Sequence, residues 1–144
     1  MKTDRRLIGT WRSDRRRTLR ELRFRPGIPR KKQRTLRGIF GKLQVTYTRN
    51  RVRYVLDEYR ATRPCEILAS DSLSVAIRFH DEITGEWCIQ HIHFDPRDPD
   101  RYWVSFGWNR EWFKRVEGSA AQASGPKTRS VSAKPKGVAV GRRP

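Results

Sequence analysis

From Leu73 to Phe79 the apolar residues fall on every second position. Leu73, Val75, Ile77 and Phe79 share one parity, and Ser74, Ala76 and Arg78 the other. A period of two marks a strand with one buried face. Asp81-Glu82 and Thr84-Gly85 supply turn chemistry, and a second β-rich run follows from Glu86 to Phe94. The stretch predicts a long antiparallel hairpin. Such a hairpin is not stable alone, so its apolar face requires neighbours from the rest of the chain.

The remaining pattern supplies them. Leu7-Ile8-Gly9-Thr10-Trp11 reads as a first short strand, and Ser13 and Asp14 follow as helix N-cap candidates. A first helix carries Leu19, Leu22 and Phe24 on one side and arginines on the rest, and Pro26-Gly27 ends it. A second helix starts near Pro29 and runs through Leu36, Ile39 and Phe40, with Gly41 where a helix-terminating glycine belongs. From Leu43 the period switches to two: Leu43, Val45 and Tyr47, then a turn at Arg49-Asn50, then Val52, Tyr54 and Leu56. A strand is expected around Cys65–Ala69, with Pro64 marking its start or an edge. Asp95 to Asp100 reads as a loop, and Arg101–Phe106 and Glu111–Val116 form a last hairpin around Gly107-Trp108-Asn109-Arg110. About eight strands with short turns predict a mainly β chain, a meandering antiparallel barrel or sandwich with two short helices after the first strand.

Charge divides the 144 residues unevenly. Residues 1–60 carry +15, residues 61–116 carry −2 and residues 117–144 carry +5, together the net +18 of the chain. After Val116 the sequence turns to Gly, Ser, Ala, Pro and Lys without a period, the composition of a disordered basic tail. The expected organisation is a barrel domain over residues 1–117, with a basic helical insertion near 14–41, and a tail over 118–144. The basic excess points to an anionic partner, nucleic acid or an acidic surface, against the plain alternative of solubility alone. No stretch reaches the roughly 20 apolar residues of a membrane span. The first residues lack the apolar core of a secretory signal, so the expectation is a cytoplasmic protein with Cys65 and Cys88 reduced.

Gly9-Thr10-Trp11, the two helices after the first strand and the closing run Glu111-Trp112-Phe113-Lys114-Arg115-Val116 resemble the calycin superfamily, the lipocalins and fatty-acid-binding proteins. The resemblance implies an up-and-down barrel in which a basic residue of the last strand packs over the opening tryptophan. Trp11 with Arg115, or Lys114, would take those barrel-closing roles. Fatty-acid-binding proteins hold a carboxylate with an Arg-x-Tyr pair near the end; this chain has Arg110-Glu111-Trp112, so that ligand class does not carry over. Eight strands also make a smaller barrel than the ten of those relatives.

Candidate chemistry is sparse. Aromatic residues are the richest set, with Tyr47, Tyr54, Trp87, Trp103 and Trp112 as candidates to line a pocket, against the plain alternative of barrel core. Arg15, Arg16, Arg17, Arg20 and Arg23 form a candidate anion-binding stripe on the first helix, against a solvated helix face. His91 and His93 share a strand face at a spacing that suits one metal. With Gly85 they fit the Gly-x5-His-x-His opening of the cupin motif, but the second cupin motif is missing. Cys88 and His91 fall on opposite faces of one strand, and no nucleophile elbow, phosphate loop or HExxH is present. The leading expectation is a non-catalytic module for an apolar small molecule, with no cofactor. The alternatives are a nucleic-acid-associated protein using the helices and tail, and a cupin-like metal enzyme.

Overall fold

The computed structural model describes residues 4–81 and 84–116. The expected tail over 118–144 lies outside the described residues. Eight antiparallel strands close a barrel in sequence order: β1 (Gly9–Ser13), β2 (Gln44–Tyr47), β3 (Arg51–Leu56), β4 (Tyr59–Ser70), β5 (Ser74–His80), β6 (Trp87–Asp95), β7 (Asp98–Phe106) and β8 (Asn109–Arg115). Between β1 and β2 run the helices α1 (Arg15–Glu21) and α2 (Arg30–Ile39). Asp14 is the N-cap of α1, its carboxylate accepting from the Arg17 N–H at 3.2 Å. Gly41 ends the helical insertion at φ +94°; a Cβ there would stand 2.7 Å from Cβ of Arg15.

Closure comes from β1, which pairs with both β2 and β8. Trp11 lies opposite Val45 on one side and Arg115 on the other. The barrel half around Trp11 is packed solid. Trp11 is 0 % exposed, its ring 4.7 Å from that of Tyr102, and Tyr102 stacks on Phe113 at 5.0 Å. Val52, Val75, Ile77 and Ile92 fill the same core. The segment before β1 seals this end: Leu7 is buried, and Arg6 donates to the carbonyls of Asp71 and Ser72 in the β4–β5 turn.

Two local expectations need correction. β4 does not begin at Pro64 but runs twelve residues with Pro64 in its middle. Residues 59–64 pair with β3, while 65–70 pair with β5, so Pro64 sits at the hand-over, where its missing N–H is not needed. Likewise 95–100 is not a loop: Asp95 ends β6, Asp98 starts β7, and only Pro96 and Arg97 turn the chain. Asp95 and Asp98 accept from the backbone N–H groups of Arg97 and Asp100, which lets two residues make the reversal.

Candidate functional site

The inward side chains are fixed by strand parity, and at the end away from Trp11 they do not fill the lumen. A cavity of about 290 Å³ remains there. Its floor is Val45, Tyr47, Tyr102 and Phe113, and Leu43, Leu56, Phe79 and Val104 form apolar walls. Tyr54, Tyr59, Arg63, Gln90 and Glu111 add polar groups. The opening has a structural origin. β4 over residues 59–64 pairs only with β3, and β8 loses its β1 neighbour after the Ser13↔Phe113 pair, so the wall is thinner on both sides of this end.

Several of these polar groups are tied down. The Tyr47 and Tyr102 hydroxyls lie 3.5 Å apart, and the Arg63 guanidinium donates to the Tyr59 hydroxyl at 2.8 Å. Glu111 accepts from the Ser13 hydroxyl at 2.7 Å, and that hydroxyl accepts from the Gly41 N–H. Burial pushes the Tyr54 phenol up to about 12 and the Tyr47 and Tyr102 phenols upward too, so all three stay neutral donors near neutral pH. Burial also raises the Glu111 carboxyl, against the lowering effect of its bond from Ser13. The lumen thus offers apolar walls, neutral phenols, one amide, one guanidinium and one carboxyl with raised proton affinity.

Of the aromatic residues singled out in the sequence, Tyr47 and Tyr54 face this cavity. Trp87, Trp103 and Trp112 do not: the parity that turns Phe94, Tyr102 and Phe113 inward turns these three out. Trp112 is nonetheless 3 % exposed, because α1 covers it, with the Arg17 guanidinium 3.4 Å from its ring centroid and its indole N–H donating to Glu21 at 3.0 Å. Trp11 and Arg115 are brought together: the guanidinium lies 4.2 Å from the indole centroid and donates to the carbonyls of Arg6 and Ile8.

Of the arginines expected on one stripe, Arg15, Arg16, Arg17 and Arg20 lie on α1 and Arg23 follows its end, and their partners differ. Arg15 donates to the carbonyls of Arg37 and Phe40 at the end of α2, and Arg17 pairs with Asp95 at 2.8 Å. Arg23 donates to the carbonyl of Leu22, and Arg15, Arg16, Arg20 and Arg23 are all exposed. His91 and His93 lie on the outer face with ring centroids 6.2 Å apart, and among the described residues no cluster of three metal-ligating side chains includes them. Cys65 and Cys88 are both free thiols. No helix among the described residues is long and apolar enough to cross a membrane.

Arg63, Gln90 and Glu111 were not singled out in the sequence. Glu111 was legible in principle, since it shares parity with Phe113 and Arg115. Arg63 was hidden by the placement of the strand start at Pro64. The chain matches no family model, no curated protein and no solved structure.

Proposed function

We propose that this chain is a non-catalytic binding module of calycin type that takes a small, mostly apolar molecule into its lumen. One observation carries the reading: a barrel that could have been filled by its own side chains keeps a cavity of about 290 Å³ with apolar walls and a few convergent polar groups. Neutral phenols at Tyr47, Tyr54 and Tyr102 suit a ligand with one or two hydrogen-bonding groups. The calycin relationship is supported by the Gly9-x-Trp11 opening and by Arg115 over Trp11. The free thiols of Cys65 and Cys88 agree with a reducing compartment such as the cytoplasm.

The test is a fluorescence titration of the full chain with 1-aminoanthracene, a neutral aromatic probe. Saturable one-to-one binding is expected, lost in Val104→Phe, whose added ring enters the cavity. Absence of binding, or binding unchanged in a folded Val104→Phe, overturns the proposal. A cupin-like metal enzyme has less support, since His91 and His93 lack a third ligand among the described residues. Nucleic acid held by the first helix is weakened by the internal bonds of Arg15 and Arg17.

A further inference from the structure

The outward parity of β5 to β8 collects rings and cations on one exposed sheet face. On β6, Trp87, Ile89, His91 and His93 alternate outward; Trp87 is 52 % exposed and Ile89 61 %, and His91 is exposed as well. Cross-strand register places His80 beside Trp87, Arg78 beside Ile89, and Trp103 beside His93. The small residues Ala76, opposite His91, and Ser105, opposite Arg110, leave the middle of the face low. The rings are ordered against one another. His93 stacks on Trp103 at 4.0 Å with 12° between planes, and His91 follows at 6.2 Å and 29°. Cations lie on the rings: Arg110 is 4.1 Å from the Trp103 centroid, and Arg78 is 4.5 Å from that of Trp87.

An exposed apolar side chain here and there needs no explanation, but a contiguous row of this kind marks an interaction surface. Its chemistry selects the partner. A protein-docking patch has an apolar centre, whereas here each tryptophan carries a guanidinium or an imidazole. Rings that stack beside the guanidinium groups of Arg78 and Arg110 complement a ligand that is flat, aromatic and anionic at regular intervals. From Trp87 to His93 the strand spans about 20 Å. That is the scale on which an exposed sheet stacks about two or three bases of a single strand. Duplex bases keep their faces covered, so a ring platform favours unpaired strands. Of the acids at this face, Glu66 is paired with Arg78 at 2.5 Å, a bond a phosphate can exchange for its own, and Asp95 with Arg17 at 2.8 Å.

The geometry points to a single-stranded nucleic acid as the occupant of this face, its bases stacking on the exposed rings of Trp87 and His91, beside the stacked His93–Trp103 pair, and its phosphates met by Arg78 and Arg110. This site is outside the barrel and independent of what the lumen holds.

The experiment is fluorescence polarisation with the full chain in every variant, so that residues outside the described ones contribute equally. The probes are labelled oligouridylate and oligodeoxythymidylate on the order of twelve nucleotides, within the site sizes that such platforms cover, and a duplex of equal length. Salt is held at about 0.15 M. The expected result is tighter binding of either single strand than of duplex. Trp87→Ala with His91→Ala is expected to weaken binding by roughly tenfold or more, as loss of base–ring stacking does. Trp87→Phe should keep most of the affinity, and Arg16→Gln with Arg20→Gln on α1 should change it little. Both ring positions are exposed, so the variants should melt like the parent. No single-strand binding at this salt overturns the proposal. So does equal binding of duplex, or an affinity that the α1 variant loses and a folded ring variant keeps. Uridylate and thymidylate arms separate RNA from DNA as the preferred strand.

Discussion

Thr18 accepts the backbone N–H of Trp112 on its hydroxyl at 2.9 Å, and this bond stands in for a missing strand. β1 departs from β8 after the Ser13↔Phe113 pair, leaving Trp112, paired with Trp103 of β7 on one side, buried with no strand on the other. Thr18 is fully buried, and one turn earlier the Asp14 N–H donates to the Trp112 carbonyl at 2.7 Å. Both backbone groups of Trp112 are therefore satisfied from α1. A short helix that is mostly arginine is held in place by polar bonds to a strand edge.

Thr18→Val keeps the side-chain shape and removes the acceptor. The orphaned N–H should cost about 1–3 kcal/mol, and Thr18→Ser should recover most of it. Urea unfolding followed by tryptophan fluorescence measures both. A Thr18→Val protein as stable as the parent would show that water or a shifted α1 satisfies Trp112.

Trp11 occupies the sealed end between Leu7, Tyr102 and Arg115, and its indole N–H donates to the Leu7 carbonyl at 2.9 Å. Trp11→Ala should destabilise by roughly 3–5 kcal/mol. Arg115→Met should cost less but should not add independently to Trp11→Ala, because the two share one contact. A double-mutant cycle in urea tests this, and strict additivity would show that the stacked guanidinium contributes nothing through the ring.

Glu111 has its carboxyl raised above the ordinary 4.5 by burial. The folded protein therefore holds this proton more tightly than the unfolded chain does. The resulting stabilisation is fully present below the unfolded value and is lost as pH rises through the folded one. Glu111→Gln keeps an acceptor for Ser13 and removes the charge. Its melting temperature relative to the parent should rise from pH 4 to pH 7; a difference flat across that range would mean that the carboxylate is well solvated.

Burial pushes the Cys65 thiol up to about 11, and its side chain lies in the core between β3 and β5. At pH 8 the native protein should leave Cys65 unlabelled by a thiolate-specific reagent such as dithionitrobenzoate, while both cysteines react after unfolding. Peptide mapping after brief labelling decides the matter. Rapid native modification of Cys65 would mean that the wall opens at β4–β5.

The alternation along Leu43 to Leu56, Leu73 to Phe94 and Arg101 to Arg115 was enough to read about eight antiparallel strands, because side-chain parity in a strand is a local property. The Asp14 cap and the Gly41 stop were legible for the same reason: each is chemistry between residues a few positions apart. The contact between Arg115 and Trp11 was legible only through a resemblance, since 104 positions separate them. Which parity faces the lumen was not local. Trp87, Trp103 and Trp112 looked like pocket residues because aromatic side chains usually go inside, yet barrel closure turned their strand positions outward. Once outward, Trp112 was buried by α1 while Trp87 stayed in solvent, a difference set by where β1 leaves β8. The cavity is likewise a product of closure, for its volume is what remains after eight inward rows meet, and no single row contains that information.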